Sequence, residues 1–131
     1  MLYITAPINN YVLKSKFMSH KRKNYAQIQM VERGLLTMYG CKDKLCLTAQ
    51  IKLVEANRPK MLEAYNYKLD TPAERLIIER GFHQLLKVYR FELDEQNQIL
   101  LALSNHKKLI SAYRFPLCPK AQEILQKNKK A

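Results

Sequence analysis

The side chains that could do chemistry in this sequence are few and scattered. The soft metal ligands are Cys41, Cys46 and Cys118 with His20, His83 and His106. A zinc site wants four such ligands at short spacing, and no CxxC or HxxxH pair supplies a start. Cys41 and Cys46, five apart, read instead as thiols that behave as small apolar side chains. Ser104 and His106 are two residues apart, so on a helix they diverge instead of forming a nucleophile and base. His83 stands among Phe82, Leu85 and Leu86, as a helix-flank or core residue would. The glycines, Gly34, Gly40 and Gly81, are isolated, whereas a phosphate-cradling loop needs them clustered so that backbone amides reach the anion. Glu92, Asp94 and Glu95 form the densest carboxylate group and are the one arrangement suited to Mg²⁺. Asp94 and Glu95 also stand where a helix N-terminus favours negative charge, which accounts for them without a metal. The expectation is a protein that is not an enzyme, with no cofactor, no metal and no small-molecule substrate.

The remaining chemistry is cationic. The stretch KSKFMSHKRKN, residues 14–24, carries Lys14, Lys16, Lys21, Arg22 and Lys23 with Phe17 and no carboxylate. Lysine and arginine that reach successive phosphates release condensed counterions, and an aromatic face such as Phe17 can stack an unpaired base. His106, Lys107, Lys108 and Arg114 form a second basic group, and Tyr65, Tyr67 and Lys68 an aromatic-basic one. The candidate nucleic-acid-binding residues are therefore Lys14, Lys16, Phe17, Lys21, Arg22, Lys23, Arg90, Lys107, Lys108 and Arg114.

The charge layout points the same way. The net charge is +12. Residues 1–31 hold five cations and no acid, and residues 105–131 hold seven cations and one acid, Glu123. The stretch 32–104 is close to neutral, with eleven cations and ten acids. Charge gathered at two ends of a neutral body suits contact with a polyanion. Nucleic acid is the expected partner, DNA or RNA, through phosphate contacts largely independent of sequence, alone or within a nucleoprotein complex. An acidic protein surface, met by this chain as adaptor or inhibitor, is the alternative, and no membrane partner is expected. The apolar runs are too short to span a bilayer, the opening MLYITAPINN does not look like a secretory signal, and an odd cysteine count fits reduced thiols. A cytoplasmic setting is expected.

The elements that must position these residues read as helices. Three glycines and five prolines are too few turn formers for a many-stranded sheet protein. In DTPAERLIIERGFHQLLKVY, Thr71, Pro72 and Glu74 read as a capping box opening one helix over about 72–90. Asn24 and Gln27 read likewise at the head of a helix over 25–39 that stops at Gly40, and Pro119 opens a last helix. KLCLTAQIKLVEA fits either period, and helix is preferred; VYRFELDEQNQILLAL reads as a helix end followed by a helix capped by Asp94, or as a short β-hairpin near 88–103. The expected architecture is all-α: a compact bundle of about five helices in one domain spanning 1–131, with a basic N-terminal segment 10–24 and a basic C-terminal end 126–131.

One internal echo stands out. LLKVYRFELDE (85–95) and LISAYRFPLCP (109–119) share Leu, Tyr-Arg-Phe and Leu at the same positions, twenty-four residues apart. This predicts two equivalent helix-to-helix corners anchored by Tyr89 with Phe91 and Tyr113 with Phe115, with Arg90 and Arg114 pointing out.

Overall fold

Among the described residues, four with left-handed backbone cut the helical stretches into pairs. They are Gly34 (φ 71°), Asn57 (φ 51°), Gly81 (φ 67°) and Asn105 (φ 52°). The structure, a computed structural model, describes residues 24–39 and 43–130. Within them the helices are α1 (24–32), α2 (Leu36–Tyr39), α3 (Leu47–Glu55), α4 (Pro59–Ala64), α5 (Thr71–Arg80), α6 (His83–Val88), α7 (Glu95–Ser104), α8 (Lys107–Ala112) and α9 (Pro119–Lys130). The described residues contain no strand.

Each left-handed residue ends the first helix of a pair. At Gly81 the Phe82 N–H returns to the Ile77 carbonyl at 3.0 Å and the Gly81 N–H to Ile78 at 3.1 Å, the doubled bonding of a Schellman ending. At Gly34 the Leu35 N–H reaches Met30 at 2.9 Å and the Gly34 N–H reaches Val31 at 3.0 Å in the same way. The expected single helix over 72–90 is therefore two helices, α5 and α6, and that over 25–39 is α1 and α2. Apolar spacing survives across such a break, because both helices of a pair bury one face against the same core.

The helices stack in two layers. α3, α5, α7 and α9 pack in succession, and α2, α4, α6 and α8 pack in succession beside them. Such an arrangement is an α-solenoid, in which each helical pair contacts chiefly its neighbours. It replaces the expected compact bundle of about five helices. The repeat length is twenty-four residues, the spacing of the Tyr-Arg-Phe echo.

Core positions recur with that period. Leu45, Leu69 and Leu93 are buried before the first helices; Leu53, Ile77 and Leu101 are buried within them; and Met61, Leu85 and Leu109 are buried in the second helices. Each full burial of such a side chain stabilises the fold by about 1.5–3 kcal/mol. The small position Ala49, Ala73 and Ala121 lets first helices approach closely, and Asn97 interrupts it.

The corners behave as the echo predicts, and a third copy precedes them. The Tyr65, Tyr89 and Tyr113 hydroxyls accept the N–H groups of Leu45, Leu69 and Leu93, each at 3.0 Å. Each tyrosine also packs against the ring two residues on, Tyr67, Phe91 or Phe115, with centroids 5.5, 5.7 and 5.8 Å apart. The β-hairpin near 88–103 is absent because 89–94 is such a corner, after which Asp94 precedes α7.

A glutamine ladder ties consecutive repeats. The Gln50, Gln98 and Gln122 amides donate to the carbonyls of Leu45, Leu93 and Leu117, each at 2.8 Å. The Gln50 carbonyl accepts the Asp70 N–H at 2.6 Å, that of Gln98 accepts the Cys118 N–H at 2.6 Å, and that of Gln27 accepts the Cys46 N–H at 2.8 Å. Every rung thus satisfies backbone groups that would otherwise lack partners where an extended corner meets a helix. The predicted capping boxes do not form for this reason. Gln27 and Glu74 reach across to the next repeat, and Asp70, which occupies the N-cap of α5, makes no side-chain cap bond.

Candidate nucleic-acid interface

The second-helix layer carries the basic surface. His83 and Lys87 of α6 face Lys107, Lys108 and Ser111 of α8, and Arg114 follows from the corner. Together with Val88 and Ala112 they line an open groove of about 740 Å³. No carboxylate lines it, and no ion pair engages Lys87, Lys107, Lys108 or Arg114 among the described residues. Unneutralised cations around a concavity focus positive potential into it.

Repeat geometry explains why these side chains converge. Lys107 and Lys108 open the short helix α8, which turns its buried Leu109 inward and leaves both lysines exposed. His106 precedes them as N-cap, its Nδ1 accepting the Leu109 N–H at 3.1 Å, so its ring orders the turn. Arg114 sits between the buried Tyr113 and half-buried Phe115, which pin the backbone while the guanidinium stays outside. Arg90, its counterpart one repeat earlier, donates to the Glu63 carbonyl at 2.7 Å and to Asn66 Oδ1 at 3.1 Å. With Arg114, Glu63, Val88 and Phe115 it lines an adjoining recess of about 420 Å³.

Of the residues expected from the sequence, the structure therefore brings Lys107, Lys108 and Arg114 together and places Arg90 beside them. Lys14, Lys16, Phe17, Lys21, Arg22 and Lys23 lie outside the described residues. Lys87 and His83 were missed as members of this surface; the signal that reveals them is the repeat, which sets α6 against α8. At the C-terminal end, Lys127 pairs with Glu123 on its own helix at 3.4 Å. In the aromatic-basic group Tyr65 is buried at its corner, Tyr67 is half-buried and Lys68 is drawn to carboxylates.

Lys68 belongs to a polar cluster that departs from the ladder. In the third repeat the ladder residue is Glu74, fully buried. One carboxylate oxygen accepts from Lys68 Nζ at 2.6 Å and from the Tyr89 hydroxyl; the other accepts from the Asp94 N–H and from Asn97 Nδ2, both at 3.1 Å. Asp94 in turn accepts from the Thr71 hydroxyl and lies 3.1 Å from Lys68. Burial opposes charge on Lys68, but the hydrogen bonds and fields of Glu74 and Asp94 outweigh it and raise the ammonium above its usual range. The Thr71 hydroxyl, more than the Lys68 ammonium, holds the Asp94 carboxyl below the usual range. Burial, then the Glu74 carboxylate, pushes the Tyr89 hydroxyl up. Asn97 stands where other repeats have alanine because it supplies the donor that a buried carboxylate requires. Among the described residues no buried side-chain polar atom lacks a partner.

Of the carboxylates weighed for Mg²⁺, Asp94 is committed to Thr71 and Lys68. Among the described residues no three His, Cys, Asp or Glu side chains group as a metal site, and no helix is long and apolar enough to cross a membrane.

The fold and surface define a class: an α-solenoid of short helical pairs with a basic face. No protein-family model, no curated protein and no solved structure matches this chain.

Proposed function

We propose that this chain is a non-enzymatic helical-repeat protein that binds nucleic acid through the basic groove between α6 and α8, chiefly by phosphate contacts. One observation carries the reading: Lys87, Lys107, Lys108 and Arg114, with His83, line a concave surface free of carboxylates. Phosphate contacts ask for cations that are exposed, close together and not neutralised internally, and these meet all three conditions. The basic segment 14–24 adds five cations to the same chain and is proposed as a second point of attachment.

The test is binding of single- and double-stranded DNA and RNA at two salt concentrations, with Lys107→Ala/Lys108→Ala/Arg114→Ala as comparison. Affinity falls with a log–log salt slope of about 0.7–0.9 per phosphate contacted, and the triple variant flattens that slope by about two to three. A flat salt response in the parent protein overturns the proposal.

The solenoid architecture favours a second reading, since stacked repeats offer extended surfaces to proteins as well. An acidic polypeptide would then bind this groove, and oligonucleotides would fail to compete with it.

A further inference from the structure

The basic groove has a counterpart two repeats earlier. Between α2 and α4, Arg33, Arg58 and Lys60 line a recess of about 580 Å³ that also lacks a carboxylate. Lys60 holds the repeat position of Lys108, and Pro59 that of Lys107, so both concavities open at the head of a second-layer helix. Arg58 reaches over the preceding repeat because Gly34 is bare there: a Cβ on Gly34 would come within 3.1 Å of the Arg58 guanidinium. A further recess lined by Arg90, Arg114, Phe115 and Glu63 joins the end of α4 to the corners after α6 and α8.

We infer that the ligand is a single nucleic-acid strand laid across α4, α6 and α8, its phosphates held in the two cationic concavities; this rests on the function proposed above. Three features favour a strand over a duplex. Each concavity holds several hundred cubic ångströms and admits a splayed nucleotide, whereas a duplex is a convex cylinder whose bases stay stacked inside it. The corners set half-buried rings at Tyr67, Phe91 and Phe115, one per repeat, and Phe115 lies beside Arg90 and Arg114 where a base can stack. Glu63 offsets one of the two arginines that line this recess, so a bound backbone is gripped chiefly at the two more cationic concavities. Two interhelical steps of 8–10 Å separate those points by about 16–20 Å, which a strand at the stacked rise of about 3.4 Å crosses in about six nucleotides.

The experiment is fluorescence anisotropy of the full chain with thymine and uracil homopolymers of about 4, 8 and 16 nucleotides, and with duplexes of the longer lengths. Affinity rises about tenfold or more between the shortest and the middle strand, then levels. Arg58→Ala/Lys60→Ala abolishes that gain, and Lys107→Ala/Lys108→Ala abolishes it as well and weakens the shortest strand further, because its groove holds more cations. Far-UV circular dichroism melts confirm that each variant folds. The inference is overturned if oligonucleotides bind but Arg58→Ala/Lys60→Ala changes no length, or if a duplex binds as tightly as the strand. If no oligonucleotide binds even at low salt, the underlying function fails and this inference with it.

Discussion

Gln98 holds Cys118 across a repeat boundary: its side-chain carbonyl accepts the Cys118 N–H at 2.6 Å while its amide donates to Leu93 at 2.8 Å. The same pair of bonds recurs at Gln50 with Asp70 and Leu45. Replacing Gln98 by leucine keeps the volume but strands two backbone groups at a buried junction. At about 1–3 kcal/mol for each unsatisfied group, Gln98→Leu is expected to lower the unfolding free energy by about 2–6 kcal/mol in urea titrations.

The tyrosine corners make a matched prediction. Tyr113→Phe removes the acceptor for the Leu93 N–H and costs about 1–3 kcal/mol, although the ring still fills its site. Tyr25, exposed on α1, is the control, and Tyr25→Phe shifts stability by less than about 0.5 kcal/mol. Equal effects from the two would refute the role given to the hydroxyl.

Glu74 and Asn97 are expected to be coupled. Glu74→Ala leaves the Asp94 N–H and the Tyr89 hydroxyl without this acceptor, removes one of the two acceptors of the Asn97 amide and deprives Lys68 of a carboxylate, and about 3 kcal/mol or more is lost. Glu74→Gln/Asn97→Ala restores the pattern of the neighbouring repeats and folds closer to the parent than Glu74→Ala does. A double-mutant cycle measures the coupling, and simple additivity would contradict it.

Gly81 needs φ of 67°, yet Asn57 and Asn105 occupy the equivalent turn. Gly81→Asn is therefore tolerated, whereas Gly81→Val costs about 1–2 kcal/mol or more in backbone strain. The added Cβ itself meets His106 Nε2 only at 3.4 Å, an ordinary contact, so backbone conformation sets the order. Thermal midpoints of the two variants check it.

The pH dependence follows from the shifted groups. Asp94 is held below its unfolded value, so its contribution is present above about pH 4 and is lost as pH falls through the lowered value. Lys68, Tyr89 and Tyr113 are raised, so theirs is present below about pH 10 and is lost as pH climbs through the raised values. Unfolding midpoints across pH should fall at both ends, with Asp94→Asn removing part of the acid decline. An ultraviolet titration should show Tyr89 and Tyr113 ionising above the usual tyrosine range.

The sequence carries helix identity at α5, α6 and α9, where apolar residues recur at three- and four-residue spacing, while the α3 segment fits either period and the α7 segment also allows a hairpin. It hides the breaks. Gly81 lies inside an unbroken apolar stripe, and Asn57 and Asn105 are not glycine at all, so nothing local announces a left-handed turn. Periodicity also hid the layers: Leu76 to Tyr89 looks like one face whether the helix is continuous or folded back. The Tyr-Arg-Phe echo was visible because two copies are nearly identical. The third, Tyr65-Asn66-Tyr67, keeps the aromatic rings and loses the arginine. For the surface, Lys107, Lys108 and Arg114 could be seen as neighbours in sequence. Lys87 could not, since only the stacking of α6 on α8 brings it near.

The tyrosine and glutamine rungs join residues twenty apart and reach no further along the chain. Under tension applied across the described residues, these rungs offer no distant clasp to fail all at once. This part of the chain should yield in steps, each releasing one twenty-four-residue unit and about 80 Å of slack, and recoil by the same steps when the load is removed.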